Sequence, residues 1–485
     1  MYCLTVKSDF VPLSKAVEIL GVSQSTLYRY EKAGLIKAYR TAGGHRRFSV
    51  DELSLFLEKM RNGDFSNFTK SKKGGKSVSN QKPKVAALFA GAGGLSLGFK
   101  MAGFDVVVAT DFDKAVEITY SYNNPNTKFI RADIRKLHAE DLLSPAGIKP
   151  GEIDLLIGGP PCQGFSLANQ QSRFLDNPNN RLFRDFIRIV KEMRPRWFLM
   201  ENVVGLLRMK KGEIRDEIVE AFEKLGYTTV TQVLRAVDYG VPQIRERIFF
   251  VGNCEGKTFV YPEATHFELN PYQAAVSPQK AFITVKQAIW DLPNLNNGFG
   301  ADEMMYDSSK TPKPGTYAFM MRNGAEKLFN HRATRNSPEV VERYKYIGQG
   351  ENWSSIPEKL MKSWRSISPE EIAKVSHSSL YKRLDENEPS ITVANFRKSM
   401  FIHPWEDRGL TVREAARLQS FPDTYRFFGS LGAQQQQVAN AVPPLLAKAV
   451  AEQIMKAMNA STGKQSKKLK PIEEPVNFLP KEVVR

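Results

Sequence analysis

The 485-residue chain is short of cysteine, histidine and long apolar runs. Its three cysteines, Cys3, Cys162 and Cys254, are odd in number and far apart. They cannot form a disulfide framework or a Cys-x-x-Cys metal pair, and a reducing compartment such as the cytoplasm suits them. The six histidines show no His-x-x-x-His spacing, so no metal is expected. No stretch approaches the roughly 18 apolar residues of a membrane span. The first ten residues carry Lys7 and Asp9 and no apolar run, so neither a signal peptide nor a membrane partner is expected.

What the chain has in excess is positive charge. Lys and Arg total 69 against 52 Asp and Glu, a net +17. That surplus points to a polyanionic partner, most simply nucleic acid. Residues 1–83 hold 15 basic and 7 acidic residues, so nearly half of the surplus precedes the larger part of the chain.

Within that first part, Ser14–Leu20 reads as a short helix with Ala16, Ile19 and Leu20 inward. Gly21-Val22-Ser23 makes a turn, Ser23 caps a second helix over Gln24–Lys32, and Gly34 ends it. Two short helices about a glycine turn form a helix-turn-helix. Its second helix offers Gln24, Ser25, Tyr28 and Arg29 to base edges or phosphates. Gly43-Gly44 flanked by Arg40, Arg46 and Arg47 reads as a basic wing against a DNA backbone. Ser49 and Glu52 predict a capping box, with Phe48 and Leu53 as a hydrophobic staple, opening a helix to about Arg61. The segment Phe10–Arg61 resembles the winged helix-turn-helix of the MerR family and of excisionase-type domains. A small helical domain for protein contacts is the plainer alternative. Residues 63–83, rich in Lys, Ser and Gly, read as a flexible basic linker after a domain of residues 1–62.

The larger part opens with a strand, Val85–Phe89, then the glycine-rich turn Ala90–Gly94 and a helix from Leu95. A second strand ends at Thr110, with Asp111 about 20 residues after the glycines. Glycines let backbone approach a ligand at a helix N-terminus, and the acid suits ribose hydroxyls. Ser96 stands where a dinucleotide fingerprint needs its last glycine, which favours another nucleoside ligand. Strands and helices alternate to about Gly252, predicting a mostly parallel sheet with helices on both faces. Cys162 sits on Pro160-Pro161-Cys162-Gln163-Gly164, a stiff turn after the apolar run Ile153–Ile157. Such a cysteine is either a nucleophile or a residue of a tight turn. Glu201 ends another apolar strand, where an acid is either used or paired, as an N-cap or in a structural ion pair. Arg245 and Arg247 precede a further strand on one face.

These motifs, followed by Arg413–Asp423 and Gln437-Val438-Ala439-Asn440-Ala441-Val442-Pro443-Pro444, resemble the ordered motifs of cytosine-5 DNA methyltransferases over about Lys84–Met458. The resemblance implies an α/β fold: a Rossmann-like S-adenosylmethionine-dependent methyltransferase fold with a smaller target-recognition domain, beside the N-terminal winged helix-turn-helix. Residues 84–252 would bind cofactor and catalyse, 253–385 recognise the target, 386–458 return to the catalytic fold, and 459–485 form a disordered tail. Cys162, Glu201, Arg245 and Arg247 would be catalytic. Phe89, Gly91, Gly93, Gly94, Leu95, Asp111, Phe112, Asp133, Ile134, Pro161, Asn440 and Val442 would hold S-adenosylmethionine. Gln163 and Ser166, in a mobile lid of about residues 163–180 over a flipped-out base, would contact double-stranded DNA. The protein would act as a monomer in catalysis, modify DNA for a restriction system, associate with the nucleoid and bind its own promoter DNA. Two departures stand out: Asp111 where the family usually has Glu, and Ala439 where it usually has Gly. Transfer-RNA cytosine methyltransferases share the fold but typically carry Pro-Phe-Thr where this chain has Gly164-Phe165-Ser166. A regulator with a spent catalytic domain is the non-enzyme alternative, and intact Cys162, Glu201 and Arg247 speak against it.

Overall fold

The structure is a computed structural model that describes residues 10–20, 24, 27–28, 31, 36–41, 45–61, 82–161, 182–208, 213–269, 273, 278–361, 380–394, 396 and 401–460. The chain divides into two compact units, residues 1–80 with 313–324, and residues 81–312 with 325–485.

In the first unit, α1 (Leu13–Leu20) buries Ala16 and Leu20 beside Leu27, Ile36, Phe48, Leu53 and Phe56. The expected wing is present as β2 (Tyr39–Arg40) paired antiparallel with β3 (Arg46–Ser49). A strand not anticipated from sequence, β1 (Phe10–Pro12), pairs with the other edge of β3. The capping box of α2 (Val50–Arg61) is only half formed. Ser49 Oγ accepts from the Glu52 amide at 3.5 Å, but the Glu52 carboxylate accepts from the Tyr39 hydroxyl at 2.7 Å. A cross-strand tyrosine thus takes the acid that the local pattern assigned to the helix N-terminus.

The second unit is built on a seven-stranded sheet. Its strands are β4 (Lys84–Leu88), β5 (Asp105–Asp111), β6 (Lys128–Arg131), β7 (Leu155–Gly158), β8 (Trp197–Val203), β9 (Thr228–Arg235) and β10 (Glu246–Asn253), in the order β6-β5-β4-β7-β8-β10-β9. The first five run parallel, and β10 lies antiparallel between β8 and β9. Alternate residues feed two cores. Val85, Ala87, Leu155, Ile157, Trp197 and Leu199 face one side, and Ala86, Leu88, Leu156, Phe198 and Met200 face the other. On the first side lie α3 (Gly94–Met101) and the last described helix, Pro444–Asn459. They approach closely because residue 98 is glycine: a Cβ there would lie 2.4 Å from the Ala447 Cβ. The opposite side is covered by Leu182–Met193 and Glu213–Lys224. Strand order reverses between β4 and β7, the place where doubly wound sheets open a crevice at their carboxyl ends.

After Asn253 the described residues carry only short elements up to Val412. The longest strands there, β11 (Gly300–Met305) and β12 (Lys327–Arg332), form an antiparallel pair. The pair is fastened to the C-terminal segment. Asn330 exchanges hydrogen bonds with the Phe427 backbone at 2.8 and 3.0 Å, and Arg413 Nε donates to the Phe329 carbonyl at 2.8 Å. The lid expected at residues 163–180 lies outside the described residues, as do most of the linker and all but the first two residues of the tail expected at 459–485, where Asn459 still belongs to the helix Pro444–Asn459.

Candidate active site

A cleft of about 930 Å³ opens at the carboxyl ends of the parallel strands. Strand ends supply most of the wall, and the segments around 392–394 and 433–442 supply much of the rest. The turn after β4 places Phe89 and Gly91 at φ 51° and 52°, a left-handed conformation that glycine tolerates and phenylalanine adopts at a cost. A Cβ on Gly94 would lie 2.2 Å from the Val442 carbonyl, so glycine there lets the 440–442 segment close over the turn. Gly93 is not on the cleft wall. It packs beneath the turn, where a Cβ would lie 2.6 Å from the Tyr425 hydroxyl.

Asp111, at the end of β5, accepts from the amides of Gly91 at 2.9 Å, Phe112 at 2.8 Å and Asp113 at 3.2 Å. Burial pushes its carboxyl up, and those amides pull it part of the way back. The shorter acid is therefore tied to the glycine turn it faces. The Phe112 ring is 70% exposed, an apolar face open to the cleft. Asp133 is gripped by Arg135, whose Nε lies 2.9 Å from both carboxylate oxygens, and this ion pair holds Asp133 below the usual range. Leu95, Ile134, Pro161, Asn440 and Val442 also line the cleft.

The other half of the cleft collects charge. Glu201 sits near the end of β8, 8% exposed, with Oε1 2.8 Å from Arg247 Nε. Burial raises its pKa, outweighing the pull of Arg247 and Arg245. A Cβ on Gly159 would lie 2.7 Å from Glu201 Oε2, so only glycine admits the carboxylate to the turn that leads into residue 162. Asn202 donates to the Pro160 carbonyl at 3.0 Å, which pins that turn to β8. Cys162, Gln163 and Ser166 lie outside the described residues. Arg245 is 1% exposed and also lines the cleft. Its Nη2 donates to the Ala439 carbonyl at 3.0 Å and its Nη1 to the Val393 carbonyl at 3.4 Å.

Sequence reasoning did not find several residues of this wall. Thr392, Ala394, Gln436 and Gln437 line the cleft from segments distant in sequence. Gln437 belonged to the motif around Asn440 and could have been read from it. Thr392 and Ala394 belong to Ile391–Asn395, a stretch that by its sequence resembles the return to the catalytic fold and gives no sign of lining the site. Among the described residues, no three His, Cys, Asp or Glu side chains gather as metal ligands, and no helix is long and apolar enough to cross a membrane.

In the first unit, Gln24 and Tyr28 are exposed on the described part of the second helix, whereas Ser25 and Arg29 lie outside the described residues. Arg46 Nε lies 3.0 Å from a Glu31 oxygen, and its guanidinium stands 4.8 Å from the centre of the Tyr28 ring. Arg47 donates to the Arg46 carbonyl at 3.2 Å. Arg46, on the wing strand β3, therefore reaches back to Tyr28 and Glu31 of the preceding helical segment.

Comparison with known proteins gives two family matches. The C-5 cytosine-specific DNA methylase family matches residues 84–456, and the MerR family of regulatory proteins matches residues 13–48. The Type II methyltransferase M1.HphI of Haemophilus parahaemolyticus is 39% identical over 370 residues, covering 76% of this chain and 86% of the relative. The Type II methyltransferase M.DdeI of Desulfomicrobium norvegicum is 39% identical over 381 residues, covering 76% and 88%. A crystal structure from an E. coli prophage, assigned as a DNA modification methyltransferase, aligns with a TM-score of 0.59 at 29% identity. It spans 78% of this chain and all of that one.

Proposed function

Since the chain belongs to the C-5 cytosine-specific DNA methylase family and is a DNA (cytosine-5)-methyltransferase of restriction-modification type, we propose that it methylates a flipped-out cytosine through a covalent adduct with Cys162. The observation that carries this reading is the place of Glu201. Its carboxylate lies against the Gly159 turn that leads into Cys162, and Arg247 bonds it in the same cleft as the glycine turn.

S-adenosylmethionine, when bound, supplies an electrophilic methyl group. The lining fits such a nucleoside: nothing lies within 4 Å of where a Cβ on Gly91 would be, Phe112 offers a stacking face, and Asp111 and Asp133 offer acceptors. Asn440 and Val442 would close the other side.

Carbon 5 of cytosine is a weak nucleophile. Cys162 Sγ, as thiolate, adds to carbon 6, and the ring's electrons move towards carbon 5. Cys162 needs nearby positive charge to ionise near neutral pH. Glu201 holds a proton at ring nitrogen 3 as the adduct forms, which its raised pKa favours. Arg247 steadies Glu201 and faces the base carbonyl. After carbon 5 gains its substituent, its proton passes to water, Sγ leaves as thiolate, and nitrogen 3 gives its proton back to Glu201, which restores the ring. A base inside a duplex cannot reach this turn, so it must leave the stack.

The MerR-like unit would bind DNA at the protein's own promoter through Gln24, Ser25, Tyr28, Arg29, Arg46 and Arg47. Protection of a specific site upstream of its reading frame by the full chain would support that role, and its absence would refute it. For the reaction, purified protein with labelled donor and mixed-sequence duplex should place label in 5-methylcytosine at one sequence. Label at an exocyclic nitrogen would overturn the reading.

A further inference from the structure

Arg245 stands apart from its neighbours in the cleft. It is 1% exposed, and among the described residues no carboxylate lies within 4.0 Å of it and its Nε has no hydrogen-bond partner. A buried guanidinium with carbonyls in place of a carboxylate is costly, so its position calls for a reason beyond stability. Its neighbours in sequence are already fixed. Gln243 bonds the Leu418 carbonyl and the Val393 amide at 3.1 and 3.0 Å, and the Ile244 amide donates to the Ser390 carbonyl at 2.7 Å. From that anchored segment the guanidinium reaches two ways. One Nη holds Val393, and the other holds Ala439, the residue before Asn440.

We propose that Arg245 is a positioning residue that couples the donor side of the cleft, at Ala439-Asn440, to the base side, at Glu201 and Arg247. The naming of the two sides rests on the methyl-transfer reading above. Arg245 touches neither reactant in this account. It sets the distance between the 439–440 backbone and the strand ends that carry Glu201 and Arg247. Its charge also opposes the burial that pushes Glu201 up. A lysine, with a single ammonium, cannot bridge both carbonyls.

The test compares Arg245→Lys with Arg247→Lys in the full chain. Donor affinity is measured by calorimetric titration of S-adenosylmethionine, and single-turnover transfer is followed against pH. Arg245→Lys should weaken donor binding about tenfold or more and shift the pH midpoint of transfer, while Arg247→Lys should keep donor affinity within about twofold. Donor affinity within twofold of wild type in Arg245→Lys would overturn the coupling. If Arg245→Lys does not fold, amide exchange in the wild-type chain decides. The Val393 amide is fully buried and off the cleft wall. Donor should slow its exchange together with that of residues 439–442, and slowing confined to 439–442 would overturn the proposal. A wild-type chain that binds donor but leaves cytosine unmodified would refute the reaction, while the affinity comparison would still decide the role of Arg245.

Discussion

Arg417 and Arg408 on the one hand and Arg245 on the other, all buried in the same unit, behave in opposite ways. Arg417 is fully buried between two aspartates: Nη2 lies 2.6 Å from Asp423, and Nη1 pairs with Asp291. Arg408 is 1% exposed and pairs with Glu414 at 2.7 Å. For Arg417, burial alone would lower the pKa, but its aspartates outweigh burial and raise it. In the cleft the balance is reversed. Burial lowers Arg245 well below its ordinary value, Arg247 adds to the effect, and Glu201 is pushed up. Burial of charge therefore does not by itself mark a working site. Charge left with an unfilled partner does, because folding alone gives no reason to keep it there.

The contrast can be broken from either side. The largest effect is expected from Glu201→Gln. Transfer should fall about 10²–10⁴-fold, the usual weight of a positioned acid-base group. Thermal stability should hold or rise above about pH 5, because the folded-state pKa is raised and the ionised carboxylate costs stability there. Calorimetry beside the transfer assay separates the two effects. Arg417→Met should do the reverse. It strands Asp291 and Asp423 in the interior and should cost about 3–5 kcal/mol in denaturant unfolding. Donor affinity at temperatures where the variant stays folded should be preserved.

A smaller effect comes from His403, which packs among Glu406, Arg408, Glu414, Arg383, His331 and Trp405. Burial depresses it to about 3, below its ordinary 6.5, and Glu414 only partly opposes this. The folded state thus refuses a proton that the unfolded state accepts. Stability should be intact above about pH 6.5 and fall as pH drops towards 3, by up to about 1.4 kcal/mol per pH unit. Burial lowers His331 as well and steepens the loss. A His403→Gln chain should show a shallower acid slope in urea melts, and an unchanged slope would place the sensitivity elsewhere.

The fold was legible wherever apolar runs alternate with glycine turns. Val85–Phe89, Ile153–Gly158 and Trp197–Glu201 announce strands, and each lies within a residue or two of the observed element. The antiparallel strand Glu246–Asn253 was not distinguishable, because strand direction is set by the path between elements and leaves no mark on the strand's own residues. In the site, Glu201 and Arg247 were readable as charges at strand ends. The role of Gly159 was not, since it depends on a carboxylate arriving from 42 positions away. The grip of Arg135 on Asp133 and of the Gly91 amide on Asp111 likewise follow from side-chain geometry that spacing cannot encode. The Glu52–Tyr39 bond shows the same limit on a small scale: a correct local motif was outcompeted by a partner across the sheet.

The central claim is that Cys162 bonds to the target base. A duplex carrying 5-fluorocytosine at the mapped site should trap the protein in the presence of donor, because fluorine cannot leave carbon 5 as a proton does. Mass mapping of the digested complex should place the modified base on the peptide containing Cys162, and Cys162→Ser should give no adduct. An adduct on another peptide, or full methyl transfer by Cys162→Ser, would contradict the account.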